Sequence, residues 1–201
     1  MRRSPLDPRL KQVPLVVSGR EHAALWIDDL SGRDRFGCKG PGAAAWLSEA
    51  GYGVPSDANS VLVDASEVLV ARLATSEFLV EALGESERVH QSKAQLDSLS
   101  GPSDVYPVPR EDLVVGIRGP GLQTLLRQIC SVDFSPWLES ERRGGGTVVL
   151  TSMIGVSVVA WPRHTTSGPI VTLWLDPSFA SYFWTTLLEV GRGVGAMVIG
   201  S

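Results

Sequence analysis

Two stretches decide the fold: Arg35–Gly53, RFGCKGPGAAAWLSEAGYG, and Val114–Cys130, VVGIRGPGLQTLLRQIC. Gly37, Gly40, Pro41 and Gly42 recur 79 positions later as Gly116, Gly119, Pro120 and Gly121. Lys39 is answered by Arg118, and Leu47 by Leu126. Two such agreements in one short chain point to a duplication or to repeated use of one local solution. In each copy a β-prone run meets a Gly-Pro turn and then a helical pattern. Ala43, Trp46, Leu47 and Ala50 share a helical face in the first copy, as Leu122, Leu125, Leu126 and Ile129 do in the second. Spacings of three, four and seven residues turn such side chains toward a sheet or another helix. Pro41 and Pro120 suit the first helical turn, where a missing backbone N–H costs little.

Outward from the first copy, strands are expected at Ser60–Val63, Val68–Leu73 and Glu77–Glu81. A polar helix over 84–98 follows, with Val89 and Leu96 facing inward. Gly101, Pro102, Pro107 and Pro109 make Leu99–Pro109 the natural boundary. Beyond it Leu113–Arg118, Thr147–Thr151, Val156–Trp161 and Ile170–Leu175 read as strands. Asp176 and Pro177 open a helix whose apolar face is Phe179, Phe183, Leu187 and Val190. Ala196–Ile199 completes a sheet. The sum is a mixed α/β protein of the α+β class with duplicated β-α-β-rich halves. The expected division is an N-terminal arm and lead-in over 1–24, a first half over 25–103 and a second over 104–201, packed as one compact unit.

The 201 residues are 43% apolar, enough for a substantial core without a disulfide framework or structural metal. Twenty-two acidic and 18 basic side chains leave a net charge of -4, which supplies no field for nucleic acid. Arg2, Arg3, Arg9 and Lys11, interrupted by Pro5 and Pro8, read as a loose, solvated arm. No apolar run approaches the roughly 20 residues that cross a bilayer, and no secretory signal is evident, so a cytoplasmic protein is expected. Cys38 and Cys130 read as two buried thiols in a reducing compartment, with a disulfide as the alternative.

The candidate sites each have a plain structural reading. GPG within Gly37–Gly42 and Gly116–Gly121 departs from the dinucleotide fingerprint, which leaves tight turns and close packing as the expectation. Gly144–Gly146 lacks the lysine and hydroxyl of a phosphate loop. His22, His90 and His164 are too far apart for a local metal motif, and His164 beside Thr165, Thr166 and Ser167 reads as a polar loop. Asp28 and Asp29 are a candidate for an amine or an acid–base role. Glu139, Glu141, Arg142 and Arg143 read as a charged loop edge. Trp46 falls on an apolar helix face. Trp184 points away from the apolar face of the last helix and Tyr182 flanks it, which makes those two the candidate anchors of a partner interface.

The ordered set Asp29–Leu47, Val70–Val80, Tyr106–Pro136, Thr151–Val159 and Asp176–Gly191 resembles the gamma subunit of heterotetrameric sarcosine oxidase. More broadly it is similar to the folate-binding aminomethyltransferase family that includes the glycine-cleavage T-protein. The matching stretches fill about half of the span from Asp29 to Gly191. The resemblance implies a noncatalytic accessory or structural subunit of a heteromeric, sarcosine-oxidase-like complex that oxidatively demethylates a methylated amine. Its partners would be a large alpha-like, folate-linked chain and a flavin-containing beta-like chain. FAD, FMN, NAD and tetrahydrofolate are then expected in the assembled complex and none in this chain. No family catalytic aspartate maps onto Asp29, Asp64 or Asp133. At this length the chain corresponds to the front portion of T-protein, and the alternative is an independent folate-binding or aminomethyltransferase-like protein.

Overall fold

The computed structural model describes residues 3–11, 24–99, 104–139 and 145–199. In chain order they form helix α1 (Pro8–Lys11), strands β1 (Leu25–Asp29) and β2 (Arg35–Lys39), helix α2 (Ala43–Glu49), strands β3 (Ser60–Val63), β4 (Val68–Ala74) and β5 (Glu77–Ala82), and helix α3 (Glu87–Asp97). Strands β6 (Tyr106–Val108) and β7 (Leu113–Arg118) follow, then helices α4 (Leu122–Ile129) and α5 (Ser135–Leu138). The chain ends with β8 (Gly145–Thr147), β9 (Val149–Met153), β10 (Val156–Thr165), β11 (Gly168–Leu175), a 3-10 turn at Pro177–Phe179, helix α6 (Ala180–Arg192) and β12 (Ala196–Ile199). The α+β class read from the alternating patterns holds.

The duplication is plain in the sheet orders, β6-β2-β5-β4-β3-β8 and β12-β1-β7-β11-β10-β9. The glycine-bearing strand β2 lies between β5 and β6, and its counterpart β7 between β11 and β1, so each pairs with the strand that precedes the other copy. Thus Gly37 faces Leu79 and Val108, while its counterpart Gly116 faces Thr172 and Asp28. The two copies have exchanged their leading strands. Ser31 fixes the exchange at β1: its buried hydroxyl accepts the Val114 N–H at 2.9 Å, and the Leu30 N–H reaches Val114 O at 2.8 Å. The chain can then leave for β2 without pairing β1 to it.

The exchange carries strands across the expected boundary at 103/104. Two compact units form, but β6 and β8 belong to the one built on Arg33–Arg110, and β1 belongs to the other. The expected strand Thr147–Thr151 is likewise divided at Val148. Thr147 ends β8, paired with β3, whereas Val149 begins β9, paired with β10.

In the first unit, alternate residues Phe36 and Cys38, Val68 and Val70, and Phe78 and Val80 bury one sheet face. Ala43 and Leu47 of α2, with Val89 and Leu96 of α3, cover that face. In the second, Leu113, Val115 and Ile117 alternate inward beside Leu173, Leu175 and Val158, under α4 and α6. Each such aliphatic side chain contributes about 1.5–3 kcal/mol when fully removed from water. Phe179 departs from expectation: it sits in the 3-10 turn before α6 and remains 47% exposed, outside the apolar face that Phe183 and Leu187 form.

The twin turns are alike in detail. Gly40 and Gly119 both have φ +121°, a conformation that favours glycine. The Gly42 N–H donates to Asp104 O at 3.0 Å and the Gly121 N–H to Ala24 O at 2.8 Å. Each turn is therefore clamped onto the lead-in of the exchanged strand, β6 or β1. Gly42 and Gly121 are the N-caps, so Pro41 and Pro120 stand one residue before the cap rather than in the first helical turn.

The described part of the arm, residues 3–11, is docked rather than loose. Leu6 is 3% exposed within the second unit's core, and Leu10 packs on the same cluster. The remaining expectations over 12–23, His22 among them, lie outside the described residues.

Candidate functional site

Most of the aspartates singled out in the sequence have structural work. Asp29 Oδ1 accepts the Ser31 N–H at 3.0 Å at the turn out of β1, and Asp28 lies 3.6 Å from Arg118 Nε. Asp133 accepts the hydroxyl and N–H of Ser135 at the start of α5, which hold its carboxyl below the usual range. Burial opposes ionisation of Asp64, yet the Arg88 guanidinium and the N–H groups of Val68 and Ser66 outweigh it and lower its pKa. Arg88 also stacks on Tyr52 at 4.5 Å, and Tyr52 Oη donates to Ser92 at 2.9 Å, so the group ties α3 to the loop after α2.

His90 is exposed on α3. His164 is half-buried on β10 opposite Pro169, and Thr165 binds Gly168 O and the Ser167 N–H to close the β10–β11 hairpin. Among the described residues no group of three His, Cys, Asp or Glu side chains is placed to hold a metal ion. Cys38 and Cys130 are free thiols, and burial pushes the Cys38 pKa up to about 12. Glu139 accepts from Gln123 Nε2 at 3.4 Å, while Glu141, Arg142, Arg143 and Gly144 lie outside the described residues.

The glycine turns do not fit a dinucleotide phosphate. A phosphate cradle needs backbone N–H groups that face the ligand. Here Gly40 donates to Ser76 O at 2.9 Å, and Gly42 and Gly121 are bound to the exchanged strands.

The two aromatic anchor candidates separate. Tyr182 is 54% exposed, with its hydroxyl donating to Ile154 O at 3.1 Å. Trp184 is 1% exposed in the core of the second unit, and its indole N–H donates to Leu10 O at 3.1 Å. The helical face read from Phe179 is narrower than the buried arc, because α1 covers the flank of α6 that carries Trp184. Trp184 is thus a core residue, not an exposed anchor.

Two features escaped the sequence reading. One is a buried charge group on the first unit's sheet. Arg35 and Glu81 are 1% and 0% exposed and 3.0 Å apart, and Arg33 reaches the other Glu81 oxygen at 3.4 Å. Charged residues inside the apolar strands RFGCK and EFLVEA were the signal. The other is a cleft of about 480 Å3 on the second unit. Leu150, Val159 and Trp174 are cross-strand neighbours and form its apolar floor. Asp112 and Asp176, each one position past the Leu113–Leu175 pair, line the cleft together with Ser157. Ser178 hydrogen-bonds Asp176 through its hydroxyl at 2.6 Å and its N–H at 2.8 Å, holding the carboxyl below the usual range.

No protein-family profile matches the sequence, and no curated protein sequence is significantly similar to it. Solved structures share the fold. A chain of the heterotetrameric sarcosine oxidase from Corynebacterium sp. U-96, solved with pyrrole 2-carboxylate, superposes with a TM-score of 0.68 at 23% identity, covering 99% of each chain. The glycine cleavage system aminomethyltransferase T from Bartonella henselae matches with a TM-score of 0.58 at 17% identity, over 89% of this chain. This chain spans 48% of that enzyme's length. No helix among the described residues is long and apolar enough to cross a membrane.

Proposed function

We propose that this chain is a noncatalytic, structural subunit of a heteromeric, sarcosine-oxidase-like complex that oxidatively demethylates a methylated amine in the cytoplasm. The observation that carries this reading is full-length agreement with a chain of a heterotetrameric sarcosine oxidase, end to end in both proteins. The aminomethyltransferase likeness stops at half of that enzyme. Twin turns whose N–H groups hold the exchanged strands, and aspartates that cap and pair within the fold, support a scaffold role. The partners would be a large folate-linked chain and a flavin-containing chain, which bring FAD, FMN, NAD and tetrahydrofolate to the assembly.

Tyr182 remains the aromatic candidate for assembly. A Tyr182→Ala variant should keep its fold and lose about 2 kcal/mol of partner affinity if that ring is a central anchor. Unchanged affinity measured by calorimetry with the isolated partner chain would remove it from the interface.

The second reading, an independent folate-binding protein, is favoured by the shared fold of the aminomethyltransferase. Titration of this chain alone with tetrahydrofolate separates the two. Saturable binding without partners supports the second reading, and none supports the first.

A further inference from the structure

We propose that the free edge of β9 takes one extended segment of a partner chain as an added antiparallel strand, anchored on the main-chain groups of Leu150 and Ser152. This rests on the subunit reading above and names one contact by which the chain would be held. β9 is an outermost strand of its sheet and pairs on one side only, with β10. The short turn at Ile154 and Gly155 sets the parity of the ladder. Met153 pairs with Val156, so Thr151 and Val149 turn their main-chain groups to β10, while Leu150 and Ser152 turn theirs outward. No described residue meets those outward N–H and C=O groups.

The free stretch is bounded at both ends. On one side the Val148 N–H is already donated to Asn59 O at 2.9 Å. On the other, the Ile154 N–H donates to Ile129 O at 3.0 Å, and Ile154 O accepts the Tyr182 hydroxyl at 3.1 Å. Those two bonds hold an isoleucine at φ 52°, a region that β-branched residues rarely adopt, and so fix the end of the hairpin. The edge itself, VLTSM, carries no proline, charge or bulge, the devices that discourage pairing at exposed edges. By contrast β6, an edge of the other sheet, carries Pro107.

Extended main chain is the ligand whose donors and acceptors match that spacing. Its side chains opposite Leu150, which is 55% exposed, and Ser152 would lie on the outer face, with the one between them beside Thr151. A second copy of β9 fits this edge poorly. Antiparallel self-pairing centred on Leu150 or on Ser152 needs the groups of Val148 or Ile154, which are taken. Centred on Thr151, it sets each exposed Leu150 against a Ser152 hydroxyl. A different chain can place an apolar residue beside Leu150 and a polar one beside Ser152, the favourable cross-strand pairs.

The test is residue-level hydrogen exchange on the isolated chain and on its complex with the large and flavin-containing chains. The Leu150 and Ser152 N–H groups should exchange freely in the isolated chain and be protected roughly a hundredfold or more in the complex. Leu150→Pro removes an outward donor and leaves the β10 ladder intact, so the chain should keep its melting temperature and lose roughly tenfold or more in partner affinity. Leu150→Ala keeps the main chain and should lose less. Ser152→Lys guards the edge with a charge and gives the same reading if the proline variant does not fold.

A complex in which both N–H groups still exchange freely overturns the edge contact and leaves the subunit reading standing. So does unchanged affinity of folded Leu150→Pro or Ser152→Lys, or an alanine loss as large as the proline loss. Protection in the isolated chain that rises with its concentration assigns the edge to a second copy and overturns the partner strand. Wild-type chain that assembles with neither partner overturns the subunit reading, and this inference with it.

Discussion

Replacing Gly40 by alanine tests the strand exchange where it is tightest. At φ +121° an L side chain is strained, at a cost on the order of 1–3 kcal/mol. The added methyl would also overlap the Asp104 carbonyl oxygen and come within 3.2 Å of the Tyr106 ring. Asp104 O accepts the Gly42 N–H, so displacing it loses a hydrogen bond of about 1 kcal/mol and draws the lead-in of β6 off β2. The combined loss should be about 2–4 kcal/mol. Gly51 is the matched control: its φ is +81° and nothing lies within 4 Å of an added methyl, so alanine there carries the backbone cost alone, about 1–2 kcal/mol. Denaturant unfolding of both variants gives the difference, and hydrogen exchange at the Tyr106 and Val108 N–H groups locates it. Equal destabilisation by the two substitutions, with β6 protection unchanged, would refute the clamp.

Glu81→Gln leaves Arg35 and Arg33 without their buried counter-charge, and removing one partner of a buried pair costs about 3–5 kcal/mol. Denaturant unfolding should show a loss of that size, and a loss under 1 kcal/mol would mean that the pair is not desolvated. Trp184→Phe keeps most of the packed ring but leaves Leu10 O without its donor, so about 1 kcal/mol should be lost, with faster exchange at the Leu10 N–H. For Asp64, whose folded pKa is lowered, the stabilisation is fully present above the unfolded value of about 3.9 and fades as pH falls through the folded one. The stability gap between wild type and Asp64→Asn should therefore shrink as pH falls below about 3.9, and a gap that stays undiminished in acid would contradict the ion pair's role.

What the sequence made legible was local. The twin Gly-Pro segments, Leu113–Arg118 as a strand and the inward pair Val89 and Leu96 all rest on short-range periodicity, and each stands in the structure. The exchange of β1 and β6 was not legible, because a strand's period says which face is buried but not which partner it meets. Trp184 was misplaced for a related reason. Its helical angle was read correctly against Phe183 and Leu187, but the burying element, α1, lies 174 positions away at Leu10. The cleft was hidden in plain residues: Asp112 and Asp176 flank two strands as ordinary boundary residues, and only the register of β7 with β11 sets both at its lining. The functional reading came from the order of the matching segments, not from any reactive side chain.

The most direct measurement of the subunit assignment is native mass spectrometry of the tagged chain purified gently from its own cells. The predicted result is a stoichiometric complex in which this 21.6 kDa chain accompanies a large folate-linked chain and a chain carrying flavin. A partner-free 21.6 kDa species that binds tetrahydrofolate by itself would contradict it.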